Sequence, residues 1–225
     1  MQNTDNAKAA SDGGAVRVRG RPRAFDRDAA LMQATRLFWQ KGYEATSISD
    51  LTEALGIGSP SLYAAFGSKE ALYTEALTHY ARNFEALVWG QFASAKTARD
   101  AVHALLFDSA TALTGCAGDN PRGCMVALSS VGSDGHEALG ELLRSARAVT
   151  LDRLKARFSQ AVEAGEIPAD TDIHALARFV QTVQNGMSIL ARDNVGSDEL
   201  RGVAEVAMLG WDARTKKTRR STKAR

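Results

Sequence analysis

The sequence predicts an all-α chain of about nine helices: a small three-helix unit near the N-terminus, then a larger helical body. Three observations predict it. Apolar residues recur at helical spacing along most of the chain, and no segment shows the alternation that marks a half-buried strand. Start and stop signals bracket the stripes, with Ser, Thr or Asp before them and Gly after. Of the 225 residues, 44% are apolar and 24% charged, enough to build a sizeable core.

Asp26, with Phe25 just before it, caps the first helix, in which Ala30, Leu31, Ala34, Leu37 and Phe38 form the apolar stripe. Lys41-Gly42 closes it with a cation in the last turn and then glycine. The second helix begins in TSISDLTEALG, where Ser47 and Asp50 stand at capping-box spacing with Asp in place of Glu. Ile48, Leu51 and Leu55 share one face, and Gly56 ends it. This helix is shorter than the roughly 12–15 residues at which an isolated helix is even marginal, so packing must hold it.

The stretch GIGSPSLYAAFGSKE then reads as another short helix. Ser59 is placed as its N-cap and Pro60 at the first helical position, where a missing N–H costs nothing. The helix runs from Ser61 to Phe66, and Gly67 stops it. Ser68 caps a longer helix whose stripe, from Leu72 through Ala76, Tyr80, Phe84, Leu87 and Val88, extends to about residue 92.

Two short capped helices across a tight glycine turn, held by one helix before and one after, make a helix-turn-helix. In such motifs the N-terminal end of the second helix meets base edges in the major groove. Leu62 and Phe66 anchor that helix, which leaves Ser59, Ser61, Tyr63 and Ala64 outside.

The segment GYEATSISDLTEALGIGSPSLYAAFGSKEALY resembles the DNA-binding domain of the TetR family of transcriptional regulators. The likeness lies in the Gly-Tyr after helix one, the Thr-Ser-Ile entry, the Gly-Ile turn, the Leu-Tyr pair, the Phe-Gly-Ser-Lys-Glu exit and the Gly-Arg-Pro-Arg arm. It covers about residues 20–75. The family often has aromatic or histidine residues after the Leu-Tyr pair, where this chain has Ala64 and Ala65, so contacts are lost from the end of the recognition helix.

The resemblance implies phosphate contacts from Thr46, Ser47, Tyr63 and Lys69, a task that hydroxyls, helix N-termini and a lysine suit. It places Ser59, Pro60 and Ser61 near the bases. Ser47 and Ser59 also read as plain caps, and Tyr63 as a cover for the small core. Arg19, Arg21 and Arg23 in VRGRPR suit a minor-groove arm.

From about residue 97 the chain reads as helices throughout. Val102, Leu105, Leu106 and Leu113 stripe one; after the loop GCAGDNPRG and an apolar segment from Cys124 to Val131, a long helix runs from about Glu137 to Ala164. Residues 171–193 and 198–211 give two more. In the family the last two pair with their mates in a homodimer, which here implicates Leu176, Phe179, Val180, Val183 and Met187 on one helix and Val203, Val206 and Leu209 on the other. Ordinary core is the other reading of these residues. The family also encloses a small-molecule effector pocket, for which Trp89, Phe92, His103, Phe107, Met125 and Phe158 are the candidates; each also reads as core.

The units expected are a flexible basic arm (1–23), a helix-turn-helix domain (24–70), a ligand-binding and dimerisation domain (71–212) and a basic tail (213–225). The net charge of +2 hides a partition: the arm carries five cations against two acids and the tail seven cations and none. Flexible runs of like charge seek polyanions. Cys124, taken to lie at a helix start beside Arg122, raises a thiol sensor of oxidants or electrophiles, against the plainer reading of a small buried hydrophobe. No metal is expected, since Cys116 and Cys124 lack a chelating spacing and His136 alone is near. Nor is a cofactor, for the chain shows no Gly-rich phosphate loop or nucleophile elbow, and an enzyme reading finds no motif. A third reading is a tail-driven architectural DNA binder. The N-terminus lacks a secretory apolar run and no segment suits a membrane span, so a cytoplasmic regulator, by family habit a repressor of a palindromic operator, is expected.

Overall fold

The computed structural model describes residues 25–116, 118, 120–130 and 135–216. Among them are nine helices and no strand: α1 (Arg27–Lys41), α2 (Ile48–Leu55), α3 (Ser59–Phe66), α4 (Lys69–Phe84), α5 (Ala86–Ser94), α6 (Ala98–Ala112), α7 (Glu137–Glu163), α8 (Ile173–Arg192) and α9 (Ser197–Thr215). The all-α expectation holds. No described helix is long and apolar enough to cross a membrane.

Local signals set the first elements. The Asp26 carboxylate accepts from the N–H groups of Asp28 and Ala29, and Gly42, at φ +81°, stops α1 by donating back to the Phe38 carbonyl. Ser47 and Asp50 form the full capping box of α2, and Gly56 ends that helix in the left-handed region, which glycine enters without a Cβ clash. Ser68 caps α4 through the Ala71 N–H.

At α3 the expected cap is off by one. Gly58 is the N-cap, with φ −78° and ψ 158°, and no side chain caps the helix. Ser59 already has helical geometry, so its hydroxyl is not tied to the helix start.

The helix expected from Ser68 to about residue 92 is two helices. The break falls at Glu85, which keeps helical dihedrals, so α5 follows α4 without a loop. The segment from Cys124 to Val131 forms turns rather than a helix over its described residues.

Two cores result. One joins α1–α4, with Phe38, Leu51, Leu62, Leu72 and Tyr73 at its centre, and reaches Met125, Leu139 and Leu143 of the larger body. The other packs α5–α9 around Leu105, Leu106, Leu154, Phe158, Met187 and Trp211. Each fully buried Leu or Phe contributes roughly 1.5–3 kcal/mol by leaving water. For the eight-residue α2 and α3 that packing outweighs weak intrinsic helicity.

Candidate nucleic-acid interface and cavity

The recognition helix is seated from below and bare above. Leu62 is 0% exposed and Phe66 is 4%, whereas Tyr63 is 44% exposed. Ser59, Pro60, Ser61 and Ala64 are exposed with it, so one patch of α3 offers two hydroxyls, a proline ring and a phenol to solvent. Around the seat, the Arg27 guanidinium lies 4.6 Å from the Phe66 ring centroid and forms an ion pair with Glu75 at 2.8 Å. Arg27 therefore braces α3 rather than a phosphate.

At the flanks the residues divide. Ser47 is exposed, but its hydroxyl is committed to the capping box, accepting from the Asp50 N–H at 3.0 Å. Thr46 corrects the expectation: it is 0% exposed and its hydroxyl donates to the Gly42 carbonyl at 2.6 Å, so that side chain is a structural tie and is not offered to DNA. Lys69 projects beside Tyr43, its Nζ 4.2 Å from the ring centroid, with no carboxylate in its described contacts. The Tyr43 phenol donates to Glu70 at 2.8 Å; burial first, and then that carboxylate, hold its pKa well above the ordinary phenol range. Lys41 is spent on Asp50 at 2.8 Å. Arg19, Arg21 and Arg23 lie outside the described residues.

Above this unit is a cavity of about 280 Å³. The end of α4 (Tyr80, Phe84) and the start of α5 (Val88, Trp89) form one wall, and α7 and α8 the others. Trp89 is in the wall, as expected from sequence; the other candidates are not. Phe92 packs into the core beside Trp89, and Phe158 is fully buried against Trp211 with ring centroids 4.9 Å apart. His103 stacks on Phe107 at 4.0 Å away from the cavity, and Met125 belongs to the N-terminal core. Apolar residues at helical spacing went to core, as such residues mostly do.

What the sequence reading missed is the polar side. Gln181, Gln184, Asn185 and Ser188 follow one another at i, i+3, i+4 and i+7 on α8 and face the cavity. A polar stripe at helical spacing on α8 was the signal available. The Ser188 hydroxyl accepts from the Cys124 N–H at 2.7 Å, and Gln184 donates to Ser109 at 3.0 Å.

Cys124 lies in the cavity wall, but not at a helix start, since α7 begins at Glu137. Its expected cation is elsewhere too: the Arg122 guanidinium donates to the Ala191 and Val195 carbonyls. The thiol's neighbour is Tyr80, whose phenol burial pushes well up, with the Cys124 contact adding to the rise.

Of the expected dimer seam, Leu176, Val180 and Met187 are at most 4% exposed within the single chain. They are protomer core and cannot meet a second copy. Phe179, Val203, Val206 and Leu209 are exposed on α8 and α9, the last two at 68% and 69%, and Ile189 joins them at 54%. Val183 is half-buried against the larger core.

A short helix exposed on a three-helix seat, joined to a larger helical body with its own cavity, is the architecture of a helix-turn-helix DNA-binding protein. Residues 30–76 match the bacterial regulatory proteins of the tetR family, and residues 101–201 match the tetracyclin repressor-like C-terminal domain. The chain is 38% identical over 197 residues to the HTH-type transcriptional repressor ComR of Escherichia coli (strain K12), across 86% of this chain and 92% of that protein. It is 29% identical over 196 residues to the HTH-type transcriptional repressor BdcR of the same organism, across 85% and 91%. Among solved structures it is similar to a cysteine-substituted form of the TetR family regulator CifR, complexed with a 26-bp double-strand operator DNA. There the identity is 40% and the TM-score 0.79, over 85% of this chain and all of that one. The chain belongs to the TetR family.

Proposed function

We propose that the protein is a cytoplasmic repressor that grips a palindromic operator as a homodimer and lets go when a small molecule fills the cavity. The operator-bound CifR and the repressors ComR and BdcR support this reading. The observation that carries it is the placement of α4. This helix has 16 residues, a span of about 24 Å at 1.5 Å per residue. Lys69 at its start stands beside the recognition helix, while Tyr80 and Phe84 near its end form a cavity wall.

A ligand that moves that wall moves the seat of α3. In a dimer, two recognition helices must match half-sites about 34–36 Å apart, so a small tilt is enough to spoil the match. The ligand shifts the equilibrium by as much as it prefers the released conformer, no more. The exposed apolar face of α8 and α9 is the surface we assign to the dimer. We place DNA binding in residues 24–70, the sensor and dimer functions in 71–212, and no catalytic step in either.

A thiol sensor is the weaker variant of this reading, because Cys124 has neither a helix N-terminus nor a free arginine beside it.

The test is selection from random and genomic DNA fragments by the purified protein, at near-physiological salt with excess competitor. An enriched palindrome of two half-sites is the expected result. Enrichment without sequence preference, abolished when the C-terminal tail is removed, would replace this reading by an architectural one.

A further inference from the structure

A second concavity, of about 580 Å³, lies where the DNA-binding unit meets the larger body. One side is α1, through Arg36 and Gln40; the other is the loop at Asn120–Arg122 and the end of α8, through Arg192 and Asn194. It is separate from the effector cavity. The same loop divides them, with Arg122 on this side and Cys124 and Val126 on the other.

Three arginines share this cleft, and no acidic side chain lines it among the described residues. The acceptors that two of them reach are neutral backbone carbonyls. Arg192 donates to Arg122 at 3.0 Å, Gln40 at 2.9 Å and Trp39 at 2.8 Å. Arg122 donates to Val195 at 3.1 Å. The third, Arg36, lines the cleft from α1, and its Nε, itself closed off from solvent, has no hydrogen-bond partner among the described residues. Buried donors are almost always met, so an unmet one calls for an explanation. Burial also holds the Arg192 guanidinium below its ordinary pKa range.

We propose that this cleft binds a small phosphate-bearing metabolite, its phosphate group held by Arg36, Arg122 and Arg192. Arg192 already donates from Nε, Nη1 and Nη2, and Arg122 from Nη1, so the anion meets the N–H groups those bonds leave over, from two separate elements and a loop. A tetrahedral dianion offers acceptors in all those directions, which a planar carboxylate does not. The cleft is far larger than the phosphate group alone, and Leu37, Ala54 and Pro121 give apolar wall for an organic remainder. The bound anion ties α1 to α8 and so braces the DNA-binding unit on the sensor body.

The experiment uses the full chain in phosphate-free buffer at constant ionic strength, titrated with inorganic phosphate and with glycerol 3-phosphate, and with chloride as control. Calorimetry and thermal melting are the readouts. Saturable binding is expected, with a rise in Tm that chloride does not give, weakened at least tenfold in Arg36→Gln. Arg122→Gln carries the same expectation and serves if Arg36→Gln is shown by circular dichroism to be misfolded. A linear, unsaturated response, or equal binding by a folded variant, overturns the proposal. So does a loss of operator affinity in phosphate-free buffer with a shallower salt slope in Arg36→Gln, since Arg36 would then be a DNA-backbone contact.

Discussion

Asp50 does two things at the entry to α2: it completes the capping box with Ser47 and it receives the Lys41 ammonium at 2.8 Å. The Lys41 hydrogen bond first, then the Ser47 N–H and hydroxyl, hold its carboxyl well below the usual range. A carboxyl depressed in the folded state stabilises above its unfolded pKa, about 3.9, and loses that contribution as pH falls toward the folded value. The difference in stability between the native chain and Asp50→Asn is therefore expected to be flat near neutrality and to shrink below about pH 4. Urea melts followed by circular dichroism across that range decide it; a gap that persists in acid refutes the assignment. Two neighbours on α3 separate seat from contact. Leu62→Ala opens a cavity at a fully buried site and is expected to cost about 3 kcal/mol in the same melts. Tyr63→Ala, at a site 44% exposed, is expected to stay within about 0.5 kcal/mol of native stability. Its operator affinity should nevertheless fall, roughly tenfold if the phenol meets a phosphate, a loss of about 1.4 kcal/mol. Unchanged affinity would make Tyr63 a surface residue and nothing more.

At the scale of elements, periodicity showed which residues share a face but not which face the chain covers for itself. Capping residues fixed α1, α2 and α4 because those signals are local: an Asp or Ser side chain meets an N–H within three residues. The start of α3 escaped by one position because Gly58 takes the extended cap geometry without any side-chain bond to announce it. On α8, Leu176, Val180 and Met187 face the protomer core while Phe179 and Ile189 face out, and only tertiary packing separates the two sets. The same limit hid the cavity. Apart from Trp89 its proposed lining lay elsewhere, whereas Gln181, Gln184, Asn185 and Ser188 mark it as a polar stripe on α8. The outward face gives a direct prediction. Val206→Lys with Leu209→Lys changes side chains 68% and 69% exposed, so helix content should be retained. Sedimentation is expected to show a dimer for the native chain and monomers for the variant, with operator affinity dropping as the two half-sites are no longer bound together. A variant that still sediments as a dimer would move the interface elsewhere.

For the whole molecule the question is where the charge that meets DNA resides. Within residues 24–69 four cations face five acids. Of those cations, Arg27 and Lys41 are paired with Glu75 and Asp50, and Arg36 lines the cleft behind α1. That leaves Lys69, which lies over the Tyr43 ring and has no carboxylate partner among the described residues, as the cation of the helix-turn-helix open to DNA. A reader so poor in charge gains little counterion release from its compact part. The arm, with Arg19, Arg21 and Arg23 close together, is then expected to supply most of the salt-dependent affinity. Each phosphate neutralised contributes about 0.9 to the slope of log K against log salt, so three arginines on each of two arms amount to about 5 units. Removing residues 1–23 is expected to flatten the slope by about that much and to weaken binding more at low salt than at high. Sequence preference at the positions read by α3 should survive, because arm and recognition helix act on different parts of the duplex. Fluorescence anisotropy of an operator duplex and a scrambled duplex, over a series of salt concentrations, measures both effects. An unchanged slope would shift the electrostatic work to Lys69, the N-termini of α2 and α4, and the C-terminal tail.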